Sequence, residues 1–177
     1  MHMNKIALYK NLGSELISRG QWFLKQAFNV KVERIVNKTH IRNLFTSLGF
    51  DYNKVLFADT NHLVVSIATM EDIIKYSWVD RKKYIVEHFD CDDYALAFKA
   101  HVSEIYNINS VALAKHIQVI KSNGEKLWHR ACVFLAIDNF TLKAYLLETQ
   151  NDKLIEIKNA LPTELGTWKY QLDTFEF

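Results

Sequence analysis

Leu127-Trp128-His129-Arg130-Ala131-Cys132-Val133-Phe134-Leu135-Ala136-Ile137 runs through Asp138-Asn139-Phe140-Thr141 into Leu142-Lys143-Ala144-Tyr145-Leu146-Leu147-Glu148-Thr149-Gln150. Apolar residues alternate along the first run and put Ala131, Val133, Leu135 and Ile137 on one face. Polar turn residues then separate it from a second apolar run, the pattern of two antiparallel strands joined by a tight turn. Upstream, residues 111–120 are β-branched and alternating, and Ser122-Asn123-Gly124-Glu125 is another hairpin signal. Downstream, Asn151-Asp152 turns into a short strand at 153–157. Pro162 and Gly166 mark closing loops, and 168–177 offers a last strand. The C-terminal half thus predicts an antiparallel meander.

The first half reads mainly as helix. Residues 5–36 carry Ile6, Leu8, Leu12, Leu16, Ile17, Trp22, Phe23, Phe28, Val32 and Ile35 at helical spacing. Thr39 is placed to cap a helix through Ile41, Leu44, Phe45 and Leu48 that Gly49 ends. Val55-Leu56-Phe57 and Leu63-Val64-Val65 read as short extended segments, and Thr69-Met70-Glu71-Asp72 as a capping box opening a helix. Asp90 is a good N-cap for a further helix with Ala95, Phe98, Val102 and Ile105 on its inner stripe. Helices first and a meander after them is an α+β layout. One domain is expected over 1–177, with a helical N-terminal part at 1–77 and a core at 78–177.

Composition narrows the function classes. The 22 basic and 20 acidic residues nearly cancel, leaving +2, so no electrostatic argument for nucleic acid arises. The N-terminus lacks the long apolar run of an export or membrane signal, which predicts a soluble cytoplasmic chain away from membranes. The two cysteines, Cys91 and Cys132, show neither CxxC nor metal-ligand spacing.

Chemistry concentrates at Phe89-Asp90-Cys91-Asp92-Asp93-Tyr94-Ala95-Leu96. A helix N-terminus favours negative charge on the Cys91 sulfur, whereas three carboxylates oppose it. An imidazolium at His129 or a cation on the aspartates resolves that conflict. An even-length turn at 138–141 sets His129 opposite Gln150 and Ala131 opposite Glu148. Glu148 and His129 are then diagonal neighbours about 7–8 Å apart at the backbone, and an odd-length turn puts them on opposite faces. In the first case Cys91 supplies a nucleophile, His129 takes its proton and Glu148 orients the imidazole. Gln150 is a candidate oxyanion donor, or a partner for His129 or a sheet edge. Each of these residues also has a structural reading: Cys91 as a small core residue, His129 as a satisfied core histidine, Glu148 as a solvated strand end.

The Cys91 motif resembles the nucleophile motif of the papain-like domain of the mushroom agglutinin family, which has bacterial and phage relatives described as lectin-related. Leu146-Leu147-Glu148-Thr149-Gln150 resembles the strand that carries that family's third catalytic residue. The Asp-Cys-acid-Asp-Tyr-Ala run is also similar to bacterial transglutaminase-like cysteine proteinases. The resemblance covers roughly 78–152 and implies a papain-like fold. It also implies Cys91 as nucleophile, His129 as base, Glu148 as orienting acid, and a protein or peptide substrate. Both relatives are calcium-linked, which implies Ca²⁺ on Asp90, Asp92 and Asp93, oxygen ligands of a type that ion accepts. The same three residues serve equally as helix cap and dipole complement. The bulky Trp128 and charged Arg130 beside His129 depart from the pattern, and Glu148 stands where the transglutaminase-like group has aspartate, with Asp138 and Asp152 as substitutes. The expectation is a cysteine-dependent hydrolase of peptide or related amide bonds. Its rivals are a non-catalytic binding or inhibitor protein on the same fold and a transglutaminase-like acyltransferase.

Overall fold

The alternation in the central run is realised as β5 (Lys126–Asp138). In the computed structural model, which describes residue 20 and residues 30–86 and 88–177, this strand is the spine of a compact unit spanning Lys31–Phe177. Asn139 and Phe140 both adopt left-handed φ angles, 47° and 64°. Two such residues form the hairpin turn whose twist matches that of the flanking strands. The turn is therefore of even length, and β6 (Thr141–Glu148) pairs Asp138 with Thr141 and Cys132 with Leu147.

Across β5 from β6 lies β4 (Val111–Ile120), whose register shifts between Ala114 and Ile117, with His116 at φ 54°. β7 (Lys153–Glu156) extends β6, while β8 (Thr163–Leu165) pairs β9 (Trp168–Gln171), which pairs β4. The remaining strands overturn the antiparallel meander. β3 (Asn61–Ser66) joins β5 in parallel and carries β1 (Arg34–Asn37) on its far side. β10 (Thr174–Glu176) binds the start of β4 and pairs in parallel with β2 (Val55–Leu56).

The papain-like α+β expectation is therefore corrected: the described residues form a β-dominated fold around a ten-stranded mixed sheet. The miss is physical. β1 is four residues long, too short for a period of two to be legible, and the extended segments at 55–57 and 63–65 carry no local sign of the parallel pairing they enter. Ile35 was read as the tail of the helical pattern over 5–36, the rest of which falls mostly outside the described residues.

Three α-helices decorate the sheet among the described residues, none long and apolar enough to cross a membrane. α1 (Lys38–Ser47) is capped by Asn37, whose Oδ1 accepts from the His40 amide at 2.9 Å, two residues before the expected cap. α2 (Ile67–Tyr76) is capped by Ser66, not opened at Thr69. α3 (Cys91–Tyr106) starts where the sequence places it. Ile41 and Phe45 of α1 are buried with Val133, Leu135, Ala144, Leu146 and Phe175 from one sheet face. Each such side chain contributes about 1.5–3 kcal/mol. The opposite face of β5 meets α3, where Cys132 donates to the Ala95 carbonyl at 3.2 Å. Cys132 is fully buried and Cys91 partly exposed, and both are free thiols.

Candidate functional site

Cys91 is the first residue of α3 because Asp90 stops the chain from entering the helix earlier. Asp90 is extended (φ −113°, ψ −158°) and its carboxylate accepts from the Asp92 amide. Asp93 reciprocates by accepting from the Asp90 amide at 3.2 Å, which completes a capping box. Cys91 is thereby fixed on the floor of a cleft that it shares with Asp92, His116, Trp128, His129 and Arg130 on one side. Tyr84, Leu127, Gln150 and Trp168 line the other, and the two lobes measure about 270 and 250 Å³.

His129 enters from β5. Its Nε2 lies 2.6 Å from Glu148 Oε2, and the Cys91 thiol stands beside the ring in the same cleft. Burial alone would push the imidazole pKa down. The bonds and charges of Cys91 and Glu148 outweigh burial and raise it to about 9, so the ring is an imidazolium at neutral pH. Glu148 is only 3 % exposed and is held from three sides. His129 takes one oxygen, which also accepts from the Tyr170 hydroxyl at 3.0 Å, and the Gln150 amide donates to the other. Trp168 and Tyr170 set their rings edge-on to the imidazole, at centroid distances of 6.3 and 5.9 Å.

The structure thus brings Cys91, His129 and Glu148 together and places the Gln150 side chain on the cleft wall. Asp138 is engaged by Lys143 and Tyr145, and it is Glu148 that His129 bonds, so Asp138 does not substitute for it; burial and the Asp80 charge, against Arg81, raise the Asp152 carboxyl to about 6. The awkward neighbours Trp128 and Arg130 flank His129 in the lining of the same cleft, and Arg130 reaches Asp92 at 3.1 Å. Sequence reasoning missed Tyr170, Trp168, Tyr84 and His116. The same-face spacing of Trp168 and Tyr170 was a usable signal for the first two.

The calcium expectation meets a poor donor set. Ligand atoms of Asp90, Cys91 and Asp92 lie within 4.8 Å of one another, but Asp93 is committed to the cap and Asp92 already holds Arg130. Ca²⁺ takes about six to eight oxygen ligands, and two carboxylates with a thiol do not supply them. The Asp92 carboxyl is raised by its hydrogen bond with Asp90, by burial and by the Asp90 charge, with Arg130 opposing.

No protein-family model matches the chain, and no curated protein does. Solved structures do. A PSL1a–E64 complex superposes with a TM-score of 0.59 at 21% identity over 81% of this chain and 50% of the other. The fold is that of about half of a mushroom lectin chain. Polyporus squamosus lectin, solved with the human-type influenza-binding epitope Neu5Acα2-6Galβ1-4GlcNAc, gives 0.56 at 18% identity, with 81% and 49% covered. The chain spans about half the length of these lectins.

These likenesses support the lectin-related part of the resemblance and correct the rest. At 21% and 18% identity these likenesses show the fold alone. The cysteine-dependent hydrolase, the thiol-protease description, the peptide substrate and the calcium link draw no support from them.

Proposed function

We propose that this chain is a non-catalytic binding domain on the mushroom-lectin-related fold, with the Cys91–His129 cleft as its ligand site. The observation that carries this reading is Trp128, which is 73 % exposed at the rim of a concave, otherwise polar cleft. A large aromatic standing beside convergent polar groups is the composition of a recognition site, and Trp is prominent among residues that dominate binding energy. Tyr84 and Trp168 add aromatic walls. Arg130, half-exposed on the cleft wall, keeps guanidinium N–H groups beyond the one it gives Asp92 and suits an anionic group such as the Neu5Ac carboxylate. A glycan bearing such a carboxylate is the ligand class this combination favours.

Calorimetric titration with Neu5Acα2-6Galβ1-4GlcNAc tests this. Binding is expected, and Trp128→Ala should weaken it by about 2 kcal/mol or more. Failure of the intact chain to bind sialylated glycans removes the reading.

A second reading rests on the Cys91–His129–Glu148 alignment, which suits acyl transfer. Cys91 attacks an acyl carbon, His129 protonates the leaving group, and an amine then takes the acyl group from the thioester. E64 separates the two readings. An adduct on Cys91, seen as a mass gain that Cys91→Ala abolishes, favours the thiol chemistry, and an unchanged mass favours simple binding.

A further inference from the structure

A cavity of about 420 Å³, larger than either lobe of the Cys91 cleft, lies where β1 runs into α1. Asn37 both ends the strand and caps the helix, so the two elements meet at a sharp corner. The last residues of β1 wall the cavity on one side, and Leu142 at the start of β6 closes it. On the helix side, Leu44 and Ser47 stand one turn apart on the same face, while Ile41 and Phe45 go into the core. This cavity shares no described lining residue with the Cys91 cleft. Its helix covers the sheet face opposite to the one that meets α3.

The lining is divided by chemistry. Its inner wall is aliphatic: Val36 is buried, Leu44 and Leu142 pack partly buried against the core, and Ile35 stands exposed at the edge. The polar groups, Arg34, His40, Asn43 and Ser47, are all exposed at the rim. His40 Nδ1 lies 3.1 Å from Asn37 Oδ1, and the Ser47 hydroxyl donates to the Leu44 carbonyl at 2.7 Å. Arg34 donates one N–H to the Phe140 carbonyl at 3.1 Å, which steadies the guanidinium and leaves other N–H groups of its fork to donate. No aspartate or glutamate is among the described lining residues, so the cavity carries a positive charge and no negative one. A fitting occupant brings an apolar body for the inner wall and an anionic group for the rim. A carboxylate suits the guanidinium through charge-assisted bonds. A sugar would set hydroxyl groups against the aliphatic wall with nothing to bond them. At about 420 Å³ the cavity lies toward the small end of ligand sites, which run from about 300 to 1,000 Å³, room for one short chain and not for a two-tailed lipid.

We propose that this cavity binds an aliphatic monocarboxylate, with its chain against Val36, Leu44 and Leu142 and its carboxylate on Arg34. The site is separate from the Cys91 cleft, and its test does not depend on what that cleft binds.

The experiment is calorimetric titration of the full chain with octanoate, and with heptanoate and octanol for comparison. Octanoate is expected to bind with a Kd below about 1 mM. Heptanoate, one methylene shorter, should bind about fourfold more weakly. Octanol should bind about tenfold more weakly than octanoate, because it lacks the charge-assisted bond. Arg34→Gln should bring octanoate down to the affinity of octanol. Ser47→Trp, which fills the mouth from an exposed helix position, should abolish binding of both. Trp128→Ala should bind octanoate as the parent chain does, which separates this result from any at the Cys91 cleft. Failure of the parent chain to bind octanoate overturns the proposal. Equal affinity for octanoate and octanol does so too, because the carboxylate would then go unrecognised. Octanoate binding unchanged in Arg34→Gln or in Ser47→Trp also overturns it, because the ligand would then lie elsewhere.

Discussion

Glu148 and His129 show how strongly one buried pair governs its surroundings. The histidine pKa stands near 9 in the folded chain against 6.5 for the free side chain. A group raised in this way stabilises the fold fully below pH 6.5, and that contribution is lost as pH rises through 9. The loss is on the order of 3 kcal/mol, to be read as a fall in urea-unfolding free energy between pH 6 and pH 10. In Glu148→Gln the opposing bond and charge are weakened, burial prevails, and the His129 pKa should fall by more than one unit in an NMR titration. The same variant should lose on the order of 3 kcal/mol of stability at neutral pH, because the charge-assisted bond is gone and the buried ring gives up its proton. Retention of the parent pKa in that variant would show that Cys91, not Glu148, sets the charge of the ring.

Among the elements, the β5–β6 hairpin carries an avoidable cost. Phe140 is held at φ 64° with its ring 93 % exposed, so it has left-handed strain and no packing in return. Phe140→Gly should raise stability by about 0.5–1 kcal/mol, seen as a higher urea midpoint with an unchanged slope. The Arg34 bond to the Phe140 carbonyl is to the backbone and survives the change. This hairpin and α3 were both legible in the sequence, because a turn of four polar-leaning residues and an Asp-x-x-Asp cap act locally. The pairing of His129 with Glu148 followed from the turn's even length. β1 and the register shift at His116 were not legible, since the first is set by pairing with β3 and the second by how β4 is shared between β5, β9 and β10. Tyr170 and Trp168 escaped for the same reason: β9 reaches the imidazole only once β4 lies between it and β5.

For the molecule as a whole, the last strand, β10, is inserted between β4 and β2 within the sheet. β10 brings Phe175 and Phe177 against Phe45, Phe50 and Phe57, far earlier in sequence. Phe175 is fully buried. Phe175→Ala should cost about 3–5 kcal/mol, measured as a shift of the whole unfolding transition. A separate, earlier transition would show that the C-terminal strand melts on its own. Local sequence could not reveal this closure, nor the parallel entry of β3 beside β5, because both depend on contacts between distant segments.

The two cysteines of this chain differ completely in access: Cys132 is sealed under α3 and Cys91 opens to solvent. A maleimide dye or spin label therefore has a single place to attach, at the mouth of the proposed ligand site. The native chain needs no engineered cysteine to become a sensor: the rate at which Cys91 takes up the label falls when the cleft around it is occupied.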